Sequence, residues 1–196
     1  MTVMTLSTPP GTGGPFPGSS ATAWDEPTLV RAAANGDRAA FDAIVHAHHR
    51  RVFNFLYHLT RHRHDAEDIT QQTFLKAYQH LDSFDCARPL INWLLTIARR
   101  TALNHFRSAK RWEYLPTEPA SSTPTPAQQT EQKDRADHLW GRARRVLSER
   151  EFEVLWLRFA EELSTHETAR VMGLTQIHVK VLVHRARQHL LKGEPS

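Results

Sequence analysis

The sequence predicts an all-α fold, with two small helical domains joined by a flexible linker. Three observations carry this. Apolar residues recur at the 3.6-residue spacing of core-facing helices in two separate blocks, with no alternating strand pattern of useful length. Eight of the 11 prolines fall in two stretches, Thr2–Pro17 and Pro116–Pro126, which divide the chain. Helix start signals stand before the apolar runs of both blocks.

The elements follow in order. Residues 1–24 carry no charge and little apolar mass among their Gly, Pro and Ser. Such a segment cannot bury enough surface to offset its ordering entropy, so a disordered tail is expected. The first block, 25–111, opens with a short helix around Leu29–Ala34. Asp37 then caps a long helix with Phe41, Ile44, Val45, His48, Val52, Phe55, Leu56 and Leu59 on one stripe. A second helix starts near Asp65 and runs through Ile69, Phe74 and Tyr78 to about Leu81. Pro89 suits the first turn of another, whose stripe is Ile91, Leu94, Leu95, Ala98, Ala102 and Phe106. These helices make a small bundle. Residues 112–136 form a proline-rich linker, semi-extended where proline is dense.

The second block, 137–192, has two capping boxes. Ser148–Glu151 precedes Phe152, Leu155, Trp156 and Phe159, all expected to face inward. Ser164–Glu167 opens a short helix that ends at Met172-Gly173. Thr175 caps a final helix with Val179, Val183, Ala186 and Leu190 inward. A short helix, a glycine turn and a longer helix make the helix-turn-helix pattern.

Composition excludes several classes. One cysteine in 196 residues rules out an intramolecular disulfide framework and a Cys-rich zinc site. No apolar run approaches a membrane span, and no basic segment followed by an apolar core marks a secretory signal. A cytoplasmic protein without membrane insertion is expected. The net charge of +4 is unevenly spread. Residues 25–111 hold 13 basic and 9 acidic groups, 112–136 hold 2 and 4, and 137–192 resume the basic excess.

Those charges form local patterns. From Thr168 to Lys192 there are five basic residues and no acidic one. The outward face of the last helix shows His178, Val181, Arg185 and Gln188, flanked by Lys180 and His184, and can enter a major groove. Its cations can reach guanine edges or phosphates, and Val181 a thymine methyl. A solvated basic face on a core helix is the plainer alternative. A second basic run, Arg99, Arg100, Arg107, Lys110 and Arg111, is interleaved with Trp93, His105, Phe106 and Trp112. Cations alternating with rings suit unpaired nucleic acid, although Phe106 also fits the apolar stripe. Asp65, Glu67 and Asp68 crowd one turn near a helix N-terminus, where the dipole favours them. Capping accounts for Asp65 but not for Gln71 and Gln72, so that surface suits a protein partner.

The runs GDRAAFDAIVHAHHRRVFNFLYHL, DAEDITQQTFLKAYQHLDSF and INWLLTIARRTALNHFRSAKR resemble region 2 of the group 4, extracytoplasmic-function sigma factors of bacterial RNA polymerase. The run from Leu147 to Lys192 resembles their region 4. The resemblance implies a region 2 bundle over 25–111 and a region 4 helix-turn-helix over 137–192, in a protein that is not an enzyme and needs no cofactor or metal. It implies binding to RNA polymerase core, at the β′ clamp helices and the β flap, and to promoter DNA. An anti-sigma factor is a further partner it implies. Carried over by position, the core-binding residues are Asp65, Glu67, Asp68, Gln71, Gln72, Phe74 and Lys76. The −10 element falls to Ser83, Phe84, Asp85, Arg88, Asn92, Arg99, Arg100, Asn104, Arg107 and Lys110. The −35 element falls to Thr175, Gln176, His178, Lys180, Val181, His184, Arg185, Arg187 and Gln188.

The chain departs from the family pattern at Arg100-Thr101, Asn104 and Gln72. It departs again at Ile177–Leu182, where hydroxyl and Arg side chains that could touch DNA are missing. Two other classes stay open on the residues alone. One is a stand-alone helix-turn-helix regulator with a helical sensor domain. The other is a metal-dependent helical enzyme built on its 13 histidines, such as His58 and His62, an i, i+4 pair if one helix carries both. No carboxylate stands in an HExxH arrangement. His48, on the apolar stripe, reads as a core ring, and Cys86 as a small loop residue.

Overall fold

The computed structural model describes residues 25–112 and 131–192, all helix and short connections. The expected tail over 1–24 and most of the linker lie outside the described residues.

Helix α1 (Glu26–Ala34) carries Pro27 in its first turn and buries Val30 and Ala33. Gly36, at φ +93°, turns the chain where a side chain would be strained. Asp37 caps α2 (Arg38–Thr60) by accepting from the Ala39 and Ala40 amides at 2.9 and 3.2 Å. Helix α3 (Arg63–Gln79) starts two residues before Asp65. Its cap is His62, whose Nδ1 accepts from the Asp65 amide at 3.4 Å. A 3-10 turn, Leu81–Ser83, leads to α4 (Leu90–Trp112). The first amide of α4 donates to Glu26 Oε1 at 2.8 Å, so α1 caps α4 across the bundle.

Ile44, Val52, Phe55 and Leu56 of α2 meet Ala66 and Ile69 of α3 and Leu90, Leu94, Leu95 and Ala98 of α4 in the core. Thr70 and Thr73 are also buried, and each hydroxyl donates to the carbonyl four residues back. His48 is nearly buried and lies 3.4 Å from Glu26. Burial lowers its pKa against the pull of that carboxylate. Phe106 differs from expectation: it is 37% exposed. It stands level with the start of α3, where His105 approaches Asp65, so its stripe runs past the end of the bundle.

Helix α5 (Glu131–Val146) reaches back into the expected linker. Residues 131–136 contain neither Pro nor Gly, and good helix formers extend the element there. Helix α6 (Glu149–Leu155) is held by its capping box, with the Ser148 amide donating to Glu151 Oε2 at 3.1 Å. It continues as a π turn, Trp156–Ala160, closed by the Glu161 amide on the Trp156 carbonyl. That wider turn rotates the following residues off the α-helical stripe. Leu157 is buried in consequence, and Phe159, expected inward, is 49% exposed. Helix α7 (Thr165–Met172) has the second capping box and ends at Gly173, at φ +65°. The Thr175 hydroxyl caps α8 (Gln176–Lys192) by accepting from the His178 amide at 3.3 Å. Val179 and Ala186 anchor α8 from beneath.

Candidate protein and nucleic-acid interfaces

Helix α3 separates its residues by period. Ala66, Ile69, Thr73, Phe74 and Ala77 face the bundle, and Asp68, Gln71 and Gln72 face solvent. Phe74 therefore packs the helix, against the His49 ring, and presents no outer surface. Lys76 is tied inward, donating to Thr101 Oγ1 at 3.1 Å. Asp65 sits between His62 and His105. Glu67 pairs with Arg63 at 2.8 Å. Leu75 was not expected on this face and is 59% exposed. It stands four residues after Gln71 and seven after Asp68, so the helical period alone places it beside them.

The loop before α4 is locally braced. Arg88 pairs with Asp85 at 3.0 Å, and the Ser83 hydroxyl donates to the His80 carbonyl. Ser83, Asp85 and Arg88 are exposed, while Phe84 rests on Trp93 with ring centroids 5.1 Å apart. Along α4, Arg100, Asn104 and Arg107 are exposed on one side. The side chain of Lys110 lies outside the described residues.

Asn92 and Arg99 are engaged by the second helical unit. Asn92 Nδ2 donates to Glu167 Oε1 at 2.7 Å. Arg99 forms a salt bridge with Glu153 at 2.5 Å. Further along the junction, Arg51 Nε donates to Glu161 Oε2 at 2.9 Å. Three carboxylates of the C-terminal unit thus hold three cationic or amide groups of the bundle. Burial pushes the Glu153 carboxyl up, and the Arg99 guanidinium pulls it down by less. Hydrogen bonds from Ser164 hold Glu167 low, with Asn92 adding to them.

His58 fills the apolar part of this junction. Its ring centroid is 3.8 Å from that of Trp156 and 5.8 Å from that of Phe152. Arg144 lies over the Phe152 ring at 4.2 Å. Burial, with Arg144 adding repulsion, pushes His58 down to about 4. The ring is therefore neutral in this arrangement and titrates near ~6.5 once released. Its contribution to the junction is full above that value and is lost as pH falls toward about 4. Small-angle scattering is expected to show the molecule expanding below about pH 5 with its helix content retained. A His58→Leu variant should stay compact over the same range. An unchanged radius for the wild type would contradict this.

His58 does not share a helix with His62, because α2 ends at Thr60 and Arg61 turns left-handed at φ 57°. Among the described residues, no three His, Cys, Asp or Glu side chains are grouped to hold a metal ion. Nor is any helix among them long and apolar enough to cross a membrane.

Helix α8 presents His178, Lys180, Val181, His184, Arg185 and Gln188 to solvent. Thr175 serves as the cap, and Gln176 lies 3.3 Å from His166 Nδ1. Arg187 points elsewhere. Its guanidinium lies 5.7 Å from the Phe159 ring centroid. It helps line an apolar groove of about 440 Å³ with Leu139, Trp140, Ala143, Leu155 and Leu190.

Comparison with known proteins matches these parts one by one. Residues 44–112 match the family model Sigma-70 region 2, and residues 145–192 match Sigma-70, region 4. The chain is 30% identical over 159 residues to the ECF RNA polymerase sigma factor SigL of Mycobacterium tuberculosis, covering 80% of this chain and 90% of that one. It is 26% identical to SigW of Bacillus subtilis, covering 83% and 93%. It is 31% identical to BldN of Streptomyces coelicolor, covering 86% of this chain and 65% of that protein. Two solved structures share the fold over most of the chain. CnrH, in complex with the cytosolic domain of CnrY, gives a TM-score of 0.61 at 26% identity, covering 86% of this chain and 96% of that one. RpoE of Bartonella quintana, in complex with the anti-sigma factor NepR, gives 0.62 at 25%, covering 78% and 95%.

A four-helix bundle joined to a capped helix-turn-helix, each part matched in order, defines a transcription initiation factor of the sigma-70 type. The chain belongs to the ECF RNA polymerase sigma factors. It binds RNA polymerase core and directs it to promoters.

Proposed function

We propose that three separate surfaces divide this work. The solvent face of α3, with Asp68, Gln71, Gln72 and Leu75, docks on the β′ clamp helices. The loop from Ser83 to Arg88 and the α4 edge from Asn92 to Lys110 hold the unwound −10 strand. The outer face of α8 enters the major groove at the −35 element. The units concerned are region 2 over 25–111 and region 4 over 137–192. The strap that joins α4 to α5, residues 113–130, threads the polymerase.

One observation carries the reading. The groups proposed to meet the clamp, the strand and the duplex lie mainly on three different helices, and each helix keeps its opposite side in the core. The apolar groove beside α8, flanked by Arg142 and Arg187, is the surface assigned to the β flap. In this reading the polymerase makes the bonds and the chain places it on the promoter, working where the nucleoid is, in the cytoplasm. The complexes of CnrH and RpoE support an anti-sigma factor as a further partner.

Asn92 and Arg99 meet a DNA strand only after Glu167 and Glu153 release them. Glu153→Gln with Glu167→Gln is expected to tighten binding of the free protein to a single-stranded −10 oligonucleotide severalfold, read by fluorescence anisotropy. Gln at 167 keeps the capping box, so the fold survives. Equal affinities would show that the junction does not compete with the strand.

Run-off transcription with purified core polymerase on genomic fragments tests the whole reading. Initiation at defined sites supports it. Duplex binding by the free protein with no initiation on any template would instead favour a stand-alone regulator. Arg185→Ala is expected to weaken upstream duplex contact by about 1–3 kcal/mol, seen as reduced footprint occupancy.

A further inference from the structure

Three side chains on the outer face of α8 are neither cationic nor able to hydrogen-bond: Leu191 in the last turn, 83% exposed, and two in the first half of the helix. Ile177 is 73% exposed and Val181 is 41% exposed. They stand four residues apart, on one line of the helix surface. Val179 and Ala186 are buried on the opposite side of α8, so the Ile177–Val181 line points directly away from the core. His184 and Gln188 continue that line, and Lys180 and Arg185 flank it. A lone exposed aliphatic needs no explanation, but a pair centred on a cationic, acid-free face does.

The chemistry of the groove singles out the ligand. Base edges offer the major groove donors, acceptors and one apolar group, the thymine C5 methyl. Ile177 and Val181 satisfy no donor or acceptor, and they sit at the end of the recognition helix that meets base edges first. Four residues span about 6 Å of helix, within reach of bases one or two steps apart. We propose that Ile177 and Val181 read the methyl groups of thymines in the upstream duplex element, making methyl contact a determinant of this sigma factor's promoter choice. The proposal rests on α8 being the groove helix. Lys180 and Arg185 then hold phosphate or guanine on either side, and the aliphatic pair selects the bases between them.

Replacing thymine by deoxyuridine removes the methyl and leaves every hydrogen-bonding group in place. Holoenzyme is assembled from the full chain and core polymerase on a promoter found by run-off transcription. Each upstream thymine is then replaced singly by deoxyuridine. At one or two positions the replacement is expected to weaken binding by about threefold to tenfold, the scale of one lost apolar carbon. With Ile177→Ser and Val181→Ser combined, the same replacements should have no further effect. Both side chains are exposed, so the variant keeps its fold, checked by circular dichroism.

Tolerance of deoxyuridine at every upstream position overturns the proposal while initiation itself still stands. So does a sensitivity that persists in the double variant, which would assign the methyl contact to other residues. Absence of upstream protection with the wild-type holoenzyme removes the groove reading of α8 and the proposal together.

Discussion

Phe152→Ala is expected to destabilise the C-terminal unit by about 3–5 kcal/mol, the range for removing a fully buried ring. Phe152 is 1% exposed and supports three neighbours at once. Trp140 of α5 meets it edge-on at 5.7 Å, Trp156 stacks at 6.2 Å, and Arg144 lies over its face. It also contacts His58 across the junction, so the cavity would loosen the packing of α6 and the seating of that unit on the bundle. Chemical denaturation followed by tryptophan fluorescence should show the loss, because Trp140 and Trp156 both report on this cluster. A variant as stable as the wild type would mean that neighbouring side chains collapse into the space.

The second large effect concerns the solvent face of α3, proposed above as the surface that docks on the polymerase. Asp68→Arg combined with Gln72→Arg is expected to reduce affinity for core polymerase by at least tenfold while leaving the melting temperature close to the wild-type value. Both side chains are exposed and lie on one face of α3, whose other face holds the bundle together. Two added cations there reverse the local charge without touching the core. Size-exclusion co-elution with core enzyme measures the first part and thermal unfolding the second. Undiminished core binding would move the docking surface elsewhere. Leu75→Ser is the companion test, since it removes apolar area from the same face with no change of charge.

Much of the fold was legible because its signals are local. Asp37, Ser148, Ser164 and Thr175 cap the helices expected of them, each within three residues along the chain. The stripe of α2 and that of α4 as far as Ala102 are buried or half-buried as their spacing implies. Departures came where geometry changes inside an element or at its end. The π turn after Leu155 took Phe159 off its stripe, and Phe106 outran the bundle that would have covered it. Leu75 and Ile177 were missed for one reason: an aliphatic side chain reads as core until its angular position is known.

The polar contacts across the junction could not be read at all. Arg99 and Glu153 are 54 residues apart, Asn92 and Glu167 are 75, and Arg51 and Glu161 are 110. No periodicity links such positions, and the proline-rich strap between the units leaves their relative placement undetermined by local rules. The sequence by itself determined the helices, most of their caps and most of the inward stripes. Each of these depends on interactions a few residues long. Tertiary structure alone decided that carboxylates of one unit occupy Asn92 and Arg99 of the other, and that His58 is held neutral between Phe152 and Trp156. Those facts depend on burial and on groups that only the folded chain brings within 4 Å of one another.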